Sequence, residues 1–269
     1  MLSNPPKTLL PKTLALDFDG VLCDGLREYF LTSWRAYRQF WSTSSPLPPS
    51  ELAETFYRLR PVITTGWEMP VLLRAMLKGF SEAEMLERWS VIRDRIMAEE
   101  DLQAKNLGML VDGLRDQWIA EDLPGWLGLH RFYPGVTERL QQLLDQGFAV
   151  VIITTKETRF VQQLLQREGI QMTTDRIFGK DRHLPKVETL RGLQQDGAGP
   201  IWFVEDLLPT LEMVKQQADL PQVELFLADW GYNTPHDRRL ASSDDRIHLL
   251  SLAQFCGGFP DWLLAGAAR

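Results

Sequence analysis

Four short apolar runs constrain the fold more than any other feature of the chain: TLALDF at 13–18, FAVVIITT at 148–155, PIWFVED at 200–206 and VELFLAD at 223–229. Each is rich in β-branched and aromatic residues, and each stops at Asp or Thr. A run this short with no polar face is the pattern of a strand buried on both sides, as in a parallel sheet covered by helices.

The segments between the runs supply those helices. VTERLQQLLDQG at 136–147 and ETRFVQQLLQREG at 157–169 carry apolar residues at helical spacing and close on Gly. PKVETLRGLQQDG at 185–197 opens on Pro and closes on Gly, and LPTLEMVKQQA at 208–218 follows the third run. Strand and helix in short alternation predict an α/β fold: a Rossmann-like parallel sheet with right-handed crossovers and helices on both faces.

Residues 26–131 break the rhythm with helical stretches alone: LREYFLTSWRAYRQFW, ELAETFYRLR, MPVLLRAMLKG, SEAEMLERWSVIRDRIMAEE and a stretch around LGMLVDGLRDQWIAED. Ser81 and Glu84 have capping-box spacing, and SPLPPS at 45–50 has the composition of a loop. The expected organisation is therefore an α/β core from residues 1–25 and 132–269, with an all-helical domain, 26–131, inserted after the first strand. Trp34, Trp41, Trp67, Trp89, Trp118 and Trp126 are expected to pack the core of that insert rather than hold a cofactor.

Composition narrows the function. The 269 residues are 44% hydrophobic and 24% charged, which suits a soluble globular chain with room for two domains. A net charge of −7, without a block of Lys and Arg, disfavours a nucleic-acid partner. The opening MLSNPPKTLLPKTLALDFD reads as neither signal peptide nor membrane span, so a cytoplasmic protein without a membrane partner is expected. Cys23 and Cys256, the only cysteines, are too few for a disulfide framework or a thiolate metal site.

In an open parallel sheet, ligands bind beyond the carboxyl ends of the strands. Every such end here carries a useful polar residue: Asp17 and Asp19, then Thr154 and Thr155, then Glu205 and Asp206, then Asp229. Carboxylates gathered on one rim repel one another unless a cation neutralises them. Oxygen ligands without a His or Cys cluster suit a hard ion such as Mg2+. Asp229 and Asp24 read equally well as turn or cap residues. Lys186, at a helix start where a cation is locally unfavourable, is a candidate for holding an anion.

The order Asp-x-Asp, Thr after a strand, Lys at a helix start and an acidic pair after a strand resembles the haloacid dehalogenase superfamily. DFDGV stands as its first motif, IITTK as its second, Lys186 as its third and VEDLLPT as its fourth. FYPGVTERLQQLLDQGFAVVIITTK and DWGY at 229–232 are similar to segments of the phosphoglycolate-phosphatase-like branch. The likeness covers residues 12–25 and 132–255, and the position of the helical insert suits a C1-type cap.

This resemblance implies a Mg2+-dependent phosphatase acting on a small phosphoester. Asp17 would be the nucleophile that forms an aspartyl-phosphate, and Asp19 the general acid and then base, its pKa raised by neighbouring carboxylates. Thr154, Thr155, Lys186 and Gly20 would bind the phosphoryl group. The metal would be held by Asp17, Asp19 through its carbonyl, and Asp206, with Glu205 as a further acidic contact. The presence of Asp19 favours phosphoryl chemistry over dehalogenation.

Three departures from the superfamily pattern stand out. Glu205 precedes Asp206 and position 210 is Thr, so either Glu205 supplies a second acidic contact or metal binding is weakened. Lys180 competes with Lys186, whose place directly before the helical stretch favours it. Asp24 is followed by Gly25, so the entry to the cap is read as a turn, with hinges flanking residues 25 and 131. RPVITTGWEM at 60–69 reads either as a substrate-facing loop or as a plain interhelical connection with Trp67 in the core. The competing functions are a phosphomutase and a non-catalytic phosphoacceptor or binding protein.

Overall fold

The computed structural model of the chain describes residues 10–41 and 48–263. The chain begins with β1 (Thr13–Leu16), β2 (Cys23–Asp24), α1 (Leu26–Trp41), α2 (Ser50–Leu59), α3 (Glu68–Leu77), α4 (Glu82–Glu99) and α5 (Ala104–Leu127). It continues through β3 (Arg131–Phe132), α6 (Val136–Asp145), β4 (Ala149–Ile153), α7 (Thr158–Arg167), β5 (Ile177–Phe178) and α8 (Lys186–Gln195). Then follow β6 (Ile201–Glu205), α9 (Leu208–Lys215), β7 (Val223–Ala228), α10 (Pro235–Ser242) and β8 (Ile247–Leu250). Two compact units result: the residues up to Asp24 together with those from Phe132 onward, and Gly25–Arg131.

The first unit is built on a six-stranded parallel sheet in the order β5-β4-β1-β6-β7-β8. After β1 the chain adds β4 and β5 on one side, then crosses to add β6, β7 and β8 on the other, so strand order reverses around β1. Both faces are buried, as an alternation-free sequence requires. Ala15, Val151, Ile153, Phe203 and Leu225 pack with Leu190, Leu208, Leu211 and Val214 on one face. Trp202 and Phe226 meet Trp262 on the other, with ring centroids 5.5 and 5.3 Å away. Full burial of each such side chain contributes about 2–3 kcal/mol, so this sheet is the unit's stable floor. The edge strands β5 and β8 fall outside the four apolar runs.

In the second unit, α1 to α5 form a helical cluster. Trp34, Trp89 and Trp126 are buried, and Trp34, Tyr37 and Trp41 stack in series. The Ser81–Glu84 capping box is formed at the start of α4. Asp122 leaves helical geometry inside α5, and its Oδ1 accepts the Gly125 N–H at 2.9 Å, which re-caps the helix just before Pro124. Of the SPLPPS stretch, residues 45–47 lie outside the described residues, and Ser50 begins α2 instead of ending a loop. Where turns are expected beside residues 25 and 131, the chain forms β2 and β3, which pair as a two-stranded sheet. Among the described residues no helix is long and apolar enough to cross a membrane.

Candidate active site

Parallel register carries the site residues to one rim. Leu16 lies opposite both Ile152 and Val204, so the residues after β1, β4 and β6 emerge at the same edge. The Asp17 N–H still donates to the Val204 carbonyl at 2.9 Å, which makes Asp17 the last ladder residue before the turn. That turn is closed by Leu22 and Cys23 N–H groups donating to the Phe18 carbonyl and by Gly20 N–H donating to the Cys23 carbonyl. Gly20 has φ +91°, and a Cβ there would stand 2.0 Å from Asp206 Oδ2, so only glycine fits against that carboxylate.

Lys186, the first residue of α8, places Nζ 2.8 Å from Asp17 Oδ1 and 2.6 Å from Glu205 Oε2. The two carboxylates compensate an ammonium that the helix N-terminus alone would repel. Burial opposes its charge, and Asp17 and Glu205 outweigh burial, so the Lys186 pKa is pushed up. Asp17 is itself buried, and burial together with the nearby Glu205 raises its pKa to about 6 against the pull of Lys186. Glu205 is fully buried; its Oε1 accepts the Leu207 N–H at 3.1 Å while Oε2 faces Lys186. Asp206 Oδ2 accepts the Tyr232 N–H at 2.8 Å.

Asp17, Glu205 and Asp206 each offer a carboxylate oxygen within 4.8 Å of the others. Thr154, buried at the end of β4, accepts the Lys156 N–H on Oγ1 at 3.1 Å, and its neighbour Thr155 is exposed. Lys180 is exposed in a single helical turn, and its N–H donates to the Lys156 carbonyl, so Lys186 is the lysine that reaches Asp17.

Other expectations are corrected. Asp19 is not surrounded by carboxylates alone, because the Lys156 ammonium lies 3.3 Å from its Oδ1. Asp24 is a strand residue rather than a turn former, and its Oδ1 accepts the Tyr232 hydroxyl at 2.9 Å. Asp229 is half-buried beyond β7 and is absent from the acidic cluster. The roles of Lys156, Gly231, Tyr232 and Asn233 were missed. IITTK and DWGY display three of these four residues, but the bonds they make arise only on folding.

A sequence model of the haloacid dehalogenase-like hydrolases matches residues 11–216. The chain belongs to that family. As a haloacid dehalogenase-like hydrolase it is 24% identical over 182 residues to a phosphoglycolate phosphatase of Haemophilus influenzae (strain 86-028NP), covering 66% of each chain. It is 25% identical over 180 residues to the phosphoglycolate phosphatase of Mannheimia succiniciproducens, again with 66% of each covered. The chain thus spans just under two thirds of the length of these relatives. Its fold matches a haloacid dehalogenase-like family hydrolase of Streptococcus pneumoniae with a TM-score of 0.53 and 14% identity, covering 89% of this chain and 93% of that one.

The donor set of this hydrolase fits a hard divalent cation. Three clustered carboxylates, two of them paired with the single Lys186 ammonium, carry an excess of negative charge that such an ion balances, and the ligand atoms are all oxygen. The glycine cradle against Asp206 leaves no side chain at Gly20 to crowd that carboxylate.

Proposed function

We propose that the protein is a Mg2+-dependent phosphatase of a small phosphomonoester, working through an aspartyl-phosphate on Asp17. The observation that carries this reading is the buried Asp17 carboxylate held at 2.8 Å by Lys186 beside Glu205 and Asp206. Asp17, Asp206, the Asp19 carbonyl and Glu205 would hold the cation. When bound, Mg2+ supplies positive charge that offsets the repulsion between a carboxylate nucleophile and a phosphate dianion.

Asp17 attacks phosphorus in line, the bond from phosphorus to the ester oxygen breaks, and the departing alkoxide takes a proton from Asp19. Asp19, now ionised, accepts a proton from water as that water attacks phosphorus. The bond from phosphorus to Asp17 then breaks, and inorganic phosphate leaves. Lys186 offsets the charge shared by nucleophile and phosphoryl group, while the Thr154 hydroxyl, Thr155 and the backbone at Gly20 bind phosphoryl oxygens.

The helical unit, 25–131, serves as the cap that selects the substrate, and the relatives support phosphoglycolate as the substrate to try first. The test is a screen of phosphorylated metabolites with Mg2+, following free phosphate. Steady release from one or a few compounds supports the phosphatase reading. Isomer formation without release would establish a mutase, and a phosphorylated Asp17 without turnover a phosphoacceptor.

A further inference from the structure

β6 and β7 run in register as far as Glu205 opposite Leu227, and beyond that point the strands part. The carbonyls of the next residues, Asp206 and Ala228, are reached by one side chain. Asn233 Nδ2 donates to the Asp206 carbonyl at 3.0 Å and to the Ala228 carbonyl at 2.8 Å. An amide nitrogen carries two hydrogens, so each carbonyl takes one. Asn233 is buried, 5% exposed, and its Oδ1 accepts from Arg238 at 2.9 Å. That contact sets which end of the amide faces the carbonyls, since only the NH2 group donates to both. Arg238 also donates to the Asn233 carbonyl at 3.1 Å.

The same loop grips the Asp206 side chain. Tyr232 N–H donates to Asp206 Oδ2, and a Cβ on Gly231 would stand 2.3 Å from Asp206 Cβ. Asp206 is therefore held by its carbonyl, its carboxylate and its flank by three consecutive residues. Such holding beyond the ligands themselves is what turns a flexible carboxylate into a directed one.

We propose that Asn233, oriented by Arg238, is a positioning residue that sews the split ends of β6 and β7 together and thereby aims Asp206 at the divalent cation. This rests on the metal site of the proposed function and extends it to a residue that touches neither substrate nor metal.

The test is calorimetric titration of metal-free wild-type, Asn233→Ala and Arg238→Met proteins with Mg2+, with circular dichroism establishing that each is folded. Loss of such a supporting partner weakens metal affinity by about 10- to 100-fold, and that is the expected loss for Asn233→Ala. Arg238→Met shifts affinity in the same direction, and it carries the test should Asn233→Ala not fold. Phosphate release by Asn233→Ala recovers at saturating Mg2+, with the loss seen in the Mg2+ concentration required. A role confined to stability would lower the melting temperature and leave the affinity of the folded protein unchanged. A folded variant of either kind with wild-type Mg2+ affinity overturns the proposal while leaving the phosphatase reading intact. A wild-type protein that binds no Mg2+ overturns both.

Discussion

Lys186 Nζ bridges Asp17 Oδ1 at 2.8 Å and Glu205 Oε2 at 2.6 Å, joining the start of α8 to the ends of β1 and β6. Removing one member of a buried ionic cluster leaves the others uncompensated, at a cost of roughly 3–5 kcal/mol. Lys186→Met is expected to lower the melting temperature of the metal-free protein, and Mg2+ to restore part of the loss. Phosphate-release kinetics should show kcat reduced by about a hundredfold or more, the scale of losing one group that stabilises transition-state charge. Unaltered kcat would place Lys186 outside the reaction.

If Asp17 holds the divalent cation as proposed, its carboxyl, raised to about 6 by burial and by Glu205, ties metal binding to pH. A cation needs this group ionised, so Mg2+ and the proton compete for it. Affinity is expected to fall by up to about tenfold for each pH unit below 6 and to level off above it. The sign for stability follows from the same shift. A pKa above the ordinary value of 3.8 means that Asp17 favours the metal-free folded state most at low pH, and this contribution is lost as pH rises through 6. Titrations across this range check both, and Asp17→Asn should remove the part due to this group.

Glu68 organises the loop between α2 and α3. Its Oε1 accepts from the N–H and hydroxyl groups of both Thr64 and Thr65, and its Oε2 accepts from Trp89 and Arg93. Burial opposes ionisation, and these donors outweigh burial, so the Glu68 pKa is lowered. Its stabilising contribution is full above the ordinary value of 4.5 and is lost as pH falls below it. Glu68→Gln is expected to destabilise the protein by about 3 kcal/mol at neutral pH, measured by denaturant unfolding, with a smaller difference near pH 3. RPVITTGWEM is thus a pinned loop, with Trp67 half-buried under Arg93.

How much of this was legible in the sequence depended on whether burial or pairing writes the signal. β1, β4, β6 and β7 are buried on both faces, and their apolar runs announce them. β5 is two residues long, and β8 includes the partly exposed His248 and Leu249, so neither forms a clear run. Asp17, Lys186, Glu205 and Asp206 could be grouped because parallel strands deliver their carboxyl ends to one rim. The Lys156 partner of Asp19 and the reach of Asn233 to the Asp206 carbonyl could not, since each joins residues more than 25 positions apart through bonds set by the folded register.

The proposed role of Asp17 as phosphoryl acceptor is decided by following phosphate release from phosphoglycolate, or from whichever ester the screen selects, by wild type and Asp17→Asn at matched Mg2+. With Asp17 as nucleophile, wild type releases phosphate in a Mg2+-dependent manner and the folded variant releases none above background, because the amide lacks the nucleophilic carboxylate. Equal rates in the two proteins, or release independent of Mg2+, would contradict it.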